Sequence, residues 1–210
     1  MTSSPTYPTV ELETLAKEQA ERVAAVLRAS AHMDYIGESI SQLEHALQCA
    51  KFAADSGADE ETVLGAMLHD VGHLQLDVDQ DESSLARMGA VGVQNHEVVG
   101  ASYLLRLGFS DKVAQLVCGH VQAKRYLVWK HDNYARKLSP ASKLTLEYQG
   151  GPMSDAEALA FEQSPLFDAI LKLRSWDDKA KVVGLRVPDL DHYLPMMVRH
   201  IRHNLGRHDA

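Results

Sequence analysis

Four histidines, His45, His69, His96 and His120, recur at intervals of about two dozen residues, and the second is followed directly by Asp70. Each sits in a stretch with helical apolar periodicity. The fold must therefore either gather one imidazole from each of several helices at a common point or satisfy four buried polar rings separately. A lone buried histidine is ordinarily a hydrogen-bonded core residue. Four on separate helices, with a carboxylate beside one and Asp177 much further along, read as a metal centre of mixed nitrogen and oxygen ligands. Neighbouring helical residues diverge by about 100°, so His69 can serve one ion while the two oxygens of Asp70 reach a second. His45 and Asp177 could complete the first ion's shell, and His96 with His120 the second. The set lacks thiolate, which argues against structural zinc.

His73, four residues after His69 and three after Asp70, can face the same cavity, either orienting a ligand or touching a substrate. His32, His131, His192, His200, His203 and His208 fall out of this register and are expected at the surface or the C-terminal end.

Helical periodicity is expected over residues 11–29, 41–55, about 63–70, 96–107, 110–128, 141–148, 155–163, 166–176 and 190–204. Gly72 is expected to close the third of these. Residues 75–93, rich in acids, serine and glycine, read as a loop over the site and a candidate lid. With no strand alternation and no repeat, the expectation is an all-α bundle around a dinuclear metal site. At 210 residues and 45% hydrophobic, the chain suits one domain, residues 1–210, with a flexible start over residues 1–10.

A net charge of -8 without a basic stripe disfavours a nucleic-acid partner. No stretch reaches membrane-spanning length and the start lacks a signal-peptide pattern, so no membrane partner and a cytoplasmic location are expected. Cys49 and Cys118 lie in apolar helical patterns and read as buried free thiols.

The pattern H…HD…H…H…D resembles the HD-domain superfamily, whose better-known members are metal-dependent phosphohydrolases. Longer stretches are more specific: Tyr35-Ile-Gly-Glu38, Ser41 to His45, His69-Asp-Val-Gly-His73, His96 to Gly100, Gly119-His-Val, Ala123 to Val128, Thr145 to Met153 and Arg174-Ser-Trp-Asp177. These look like 2-amino-1-hydroxyethylphosphonate dioxygenase. That resemblance implies a mixed-valence Fe(II)/Fe(III) pair that uses O₂ to cleave a carbon–phosphorus bond, giving phosphate and an amino acid. By the same resemblance, His45, His69, Asp70 and Asp177 bind one iron, Asp70 bridges, and His96 and His120 bind the other. Tyr35 and Glu38 resemble a gate in which the phenol ligates iron before substrate arrives and the carboxylate then meets the substrate's ammonium group. The phosphonate contacts implied are His73, Lys124, Ser142 and Arg174.

After Val128 the chain reads Trp129-Lys-His-Asp132-Asn-Tyr134. An aromatic ring and a carboxylate there would suit a trimethylammonium group, held by cation–π and Coulomb attraction. This makes the oxygenase for 1-hydroxy-2-(trimethylammonio)ethylphosphonate, which yields glycine betaine, a second similar family; otherwise Trp129 and Asp132 are rim and solvent residues. The competing activity is an HD-type phosphohydrolase, which needs only the metal ligands and an activated water.

Overall fold

The computed structural model describes residues 9–35, 37–74 and 92–207. Among these, the helices run α1 (Thr9–Ala29), α2 (Gln42–Asp55), α3 (Glu60–Leu68), α4 (His96–Arg106), α5 (Asp111–Lys130), α6 (Asp132–Lys137), α7 (Pro140–Tyr148), α8 (Asp155–Glu162), α9 (Phe167–Lys179) and α10 (Leu190–Arg207). The fold is all-α: among the described residues, extended pairing is confined to an isolated bridge between Asp34 and Ser41.

Helix starts follow from local chemistry. Ser41 opens α2 with a capping box, its hydroxyl accepting the Glu44 N–H while the Glu44 carboxylate accepts the Ser41 N–H. Asp59 accepts the Thr62 N–H at α3, and Ser110 accepts that of Val113 at α5. Each cap satisfies an amide that the first helical turn leaves without a partner.

Helix α5 runs through the middle, against α3, α4 and α9, while α2 lies on α3 and α9, and α1 pairs with α10. Leu64, Met67, Leu68, Leu104, Leu116 and Leu173 are buried where these helices meet. A Cβ on Gly119 would stand 2.6 Å from Ile170 Cδ1, so α5 and α9 touch through a glycine next to His120.

Three local expectations are corrected. Helix α3 stops at Leu68: His69 keeps helical angles, Asp70 departs from them (φ -98°, ψ 6°), and Val71–His73 forms a 3-10 turn. Gly72 serves a close contact rather than a cap, because a Cβ there would lie 1.9 Å from the carbonyl oxygen of His96. His200 is buried; its Nε2 accepts the Ser110 N–H at 3.1 Å, because α10 turns this face toward α3. His32, His131, His192 and His203 are exposed.

Residues 1–8 of the expected flexible start, 75–91 of the expected loop, and His208 lie outside the described residues. Both cysteines are free thiols, Cys49 buried and Cys118 partly so. Among the described residues, no helix is long and apolar enough to cross a membrane.

Candidate metal centre

Four buried imidazoles converge from α2 (His45), the end of α3 (His69), the first turn of α4 (His96) and the middle of α5 (His120). In three of them Nδ1 donates to a backbone carbonyl: His45 to Ala180 at 2.8 Å, His69 to Ala66 at 2.9 Å and His120 to Val117 at 2.6 Å. A carbonyl can only accept, so in the neutral ring the Nδ1 proton is fixed and Nε2 is left as a lone-pair donor. His96 Nδ1 lies 3.4 Å from Glu97 Oε2.

The Nε2 atoms pair off, His45 with His69 at 3.3 Å and His96 with His120 at 3.0 Å. Asp70 stands between the pairs. Its Oδ2 lies 3.3 Å from His69 Nε2 and 3.7 Å from His45 Nε2, and its Oδ1 lies 3.4 Å from the Nε2 of both His96 and His120. Asp177, on α9, brings Oδ1 to 3.5 Å from His45 Nε2 and 3.8 Å from His69 Nε2.

These residues fit metal ions. In the neutral tautomers that the Ala180 and Ala66 carbonyls fix, the Nε2 lone pairs of His45 and His69 face each other with no proton between them, and a cation between them satisfies both. Donors bonded to one ion at about 2.1 Å and at right angles are about 3.0 Å apart, close to the spacing of both histidine pairs. The arrangement thus offers two donor clusters joined by one carboxylate: His45, His69 and Asp177 on one side, His96 and His120 on the other.

Burial alone would raise both carboxyls. For Asp70, attraction to the adjacent His69 prevails and holds it well below the usual carboxylate range. For Asp177, the Arg174 guanidinium does the same. Both enter the site as carboxylates.

A cavity of about 60 Å³ opens onto Asp70, His96, His120 and Asp177, room for a few water-sized volumes and hence for a small ligand. Tyr35, His73, Lys124, Ser142 and Arg174 line it. The Tyr35 ring stacks on His45 with centroids 3.9 Å apart, and its hydroxyl lies 3.5 Å from Asp177 Oδ1. His73 stacks on His96 at 3.7 Å and accepts the Val93 N–H at Nδ1, which leaves Nε2–H as its donor. Burial lowers His73 to about 3, so the ring is neutral. Lys124 donates to Thr145 Oγ1 at 2.8 Å, and burial, reinforced by Arg174, brings its ammonium down to about 7.

Glu38 lies beside an adjoining cavity of about 300 Å³ that shares Ser139 and Lys181 with the first. Its Oε1 is 3.4 Å from Lys181 Nζ, so the expected ammonium partner already has a cation beside it. Trp129 and Asp132 line neither cavity. The Trp129 indole donates to Asp155 at 2.9 Å, and Asp132 is exposed at the start of α6. The reason is register: five residues separate Lys124 from Trp129, a turn of about 140° around α5, so the two side chains leave the helix on different sides.

Thr145, Lys181, Tyr134 and Asp178 were not foreseen from the sequence. Asp178 had a signal, since it is four residues after Arg174 on one helix. Lys181 follows the end of α9 and had none.

The description "HD domain" matches residues 43–159. Hydroxymethylphosphonate dioxygenase of Gimesia maris is 41% identical over 181 residues, 85% of this chain and 88% of its own. The glycine-betaine-forming [1-hydroxy-2-(trimethylamino)ethyl]phosphonate dioxygenase of Leisingera caerulea is 35% identical over 173 residues, 82% of this chain and 85% of its own. An uncharacterised protein of Acanthamoeba polyphaga mimivirus is 42% identical over 168 residues, 80% of this chain and 75% of its own.

Proposed function

The chain belongs to the HD-domain family, and from that premise we propose that it is a diiron oxygenase that uses O₂ to cleave the carbon–phosphorus bond of a 1-hydroxyphosphonate. One O₂ is consumed per turnover. The carbinol carbon becomes a carboxylate and the phosphonate becomes phosphate, each gaining one oxygen atom, so the four electrons that reduce O₂ come from the substrate. The substituent on the carbinol carbon sets the organic product: glycine from the primary amine and glycine betaine from the trimethylammonio form, with formate from the unsubstituted compound.

One observation carries the reading: Asp70 faces two separate histidine pairs, one with each carboxylate oxygen. His45, His69, Asp70 and Asp177 would hold one iron, and Asp70, His96 and His120 the other. Bound as a Fe(II)/Fe(III) pair, iron supplies the redox capacity that lets O₂ react with a carbon centre. The mixed nitrogen and oxygen donor set suits such ions.

The chain's own residues bind and orient the substrate. Lys124, the Ser142 hydroxyl, the His73 Nε2–H and the Arg174 N–H groups not otherwise engaged form a donor set for a phosphonate dianion. Tyr35, against His45 and Asp177, is the residue to give way as substrate enters, and it limits oxygen chemistry in the empty site. Glu38 with Lys181 sets the charge where the carbinol substituent extends.

Relatives named as dioxygenases favour oxygenative cleavage over hydrolysis. The test is phosphate release by iron-loaded protein from hydroxymethylphosphonate and its amino and trimethylammonio homologues, with and without O₂. Release that requires O₂ and matches its consumption one to one supports the proposal. Equal release without O₂, or turnover of phosphomonoesters alone, supports the phosphohydrolase.

A further inference from the structure

Arg174 is buried, with only 4% of its side chain exposed, and its guanidinium is held from three directions. Nη1 donates to Asp177 Oδ2 at 2.6 Å, Nη2 to Asp178 Oδ1 at 2.5 Å, and Nε to the Tyr134 hydroxyl at 2.9 Å. The Tyr134 hydroxyl in turn donates to Asp178 Oδ2 at 2.6 Å. Burial keeps this phenol protonated, well above its ordinary range, so it can accept from arginine and donate to aspartate at once. The result is a closed ring: Arg174 Nε, Tyr134, Asp178 and back to Arg174 Nη2.

This ring divides the work of both neighbouring groups. Asp177 gives Oδ2 to arginine and keeps Oδ1 toward His45 and His69. Of the five guanidinium N–H groups, three are committed, and two remain on the edge of a residue that lines the cavity. A planar fork whose tilt is fixed can meet a phosphonate oxygen and a carboxylate together, and one free to rotate cannot.

We infer that Tyr134 and Asp178 are positioning residues that fix the plane of the Arg174 guanidinium, so that it restrains Asp177 to one free oxygen and presents its remaining N–H groups to the phosphonate. Tyr134 belongs to α6 and Asp178 to α9, so the ring also ties the short α6 helix to the helix that carries Asp177. The inference rests on the proposed phosphonate site for its ligand class.

The test compares wild type, Tyr134→Phe and Asp178→Asn in iron content, thermal unfolding, KM and kcat with hydroxymethylphosphonate and its amino and trimethylammonio homologues, and the affinity of inorganic phosphate for the iron-loaded protein without O₂. Loss of both hydrogen bonds of the Tyr134 hydroxyl, one from Arg174 and one to Asp178, is expected to raise KM and weaken phosphate binding about tenfold in Tyr134→Phe. Asp178→Asn, which keeps an acceptor for Nη2, is expected to change both less. Iron stays at the wild-type level in both variants. A KM and phosphate affinity equal to wild type in folded, iron-replete Tyr134→Phe would overturn the inference. Should Tyr134→Phe not fold, unchanged KM and phosphate affinity in Asp178→Asn would overturn it, and a higher KM with weaker phosphate binding would support it. If wild type turns over none of the phosphonates, the functional proposal fails, and the phosphate titration still decides the positioning role.

Discussion

Gly72 and His96 touch backbone to backbone: a Cβ on Gly72 would fall 1.9 Å from the His96 carbonyl oxygen. The contact presses the turn that follows Asp70 onto the first residue of α4, which keeps Asp70 Oδ1 at 3.4 Å from His96 Nε2. Gly72→Ala must separate the two elements. Overpacking of this kind costs about 1–3 kcal/mol, and a backbone obstacle puts the variant at the upper end. The expected outcome is a lower unfolding temperature and preferential loss of the iron proposed for His96 and His120, read by calorimetry and by metal analysis per chain.

Tyr35→Phe removes a hydroxyl that lies 3.5 Å from Asp177 Oδ1 but leaves the ring stacked on His45. Both irons are expected to remain, and oxidation of the reduced protein by O₂ without substrate is expected to run several-fold faster. Stopped-flow spectroscopy on the substrate-free protein reads this directly; a rate equal to wild type removes the gating role.

Lys124 gives the site a pH dependence. With its ammonium lowered to about 7 by burial and Arg174, the free enzyme loses this cation as pH rises through that value, so attraction for the dianion falls on the alkaline side. The substrate's own titration is common to all variants. The wild-type to Lys124→Met ratio of kcat/KM, which reports the free enzyme, is therefore expected to be largest below pH 7 and to shrink above it. A ratio flat from pH 6 to 9 would contradict the assignment.

Lys181 stands 3.4 Å from Glu38 and 5.7 Å from the centre of the Tyr35 ring. Removing its charge leaves Glu38 free for a cationic substituent. In Lys181→Met, kcat/KM for 2-amino-1-hydroxyethylphosphonate relative to hydroxymethylphosphonate is expected to rise about tenfold, as a partly buried ion pair is replaced by one to the substrate. Competition assays with both substrates in one reaction measure the ratio; an unchanged ratio would place the substituent elsewhere.

The ligand set was legible because its signal is local and repeated: histidines on apolar helical segments, one followed by aspartate. The helix starts near Ser41 and Ser110 were readable for the same reason. What joins helices was not. Gly72 looks like a helix stop in sequence, and only the approach of α4 makes it a contact. Lys181 lies beyond a helix end, where no periodicity reports direction. Trp129 stood open between an ammonium contact and a rim residue, and helical rotation along α5 carries its indole to Asp155. His200 shows no pattern of its own, and its burial depends on the packing of α10 over α3.

The central claim is that Asp70 joins two iron ions. Metal analysis with Mössbauer spectroscopy on wild type and Asp70→Ala, each loaded with iron under reducing conditions and then exposed to limited O₂, tests it most directly. The account predicts two irons per chain in two valence states for wild type and loss of both in Asp70→Ala. One iron per chain in wild type, or two irons undisturbed in Asp70→Ala, would contradict it.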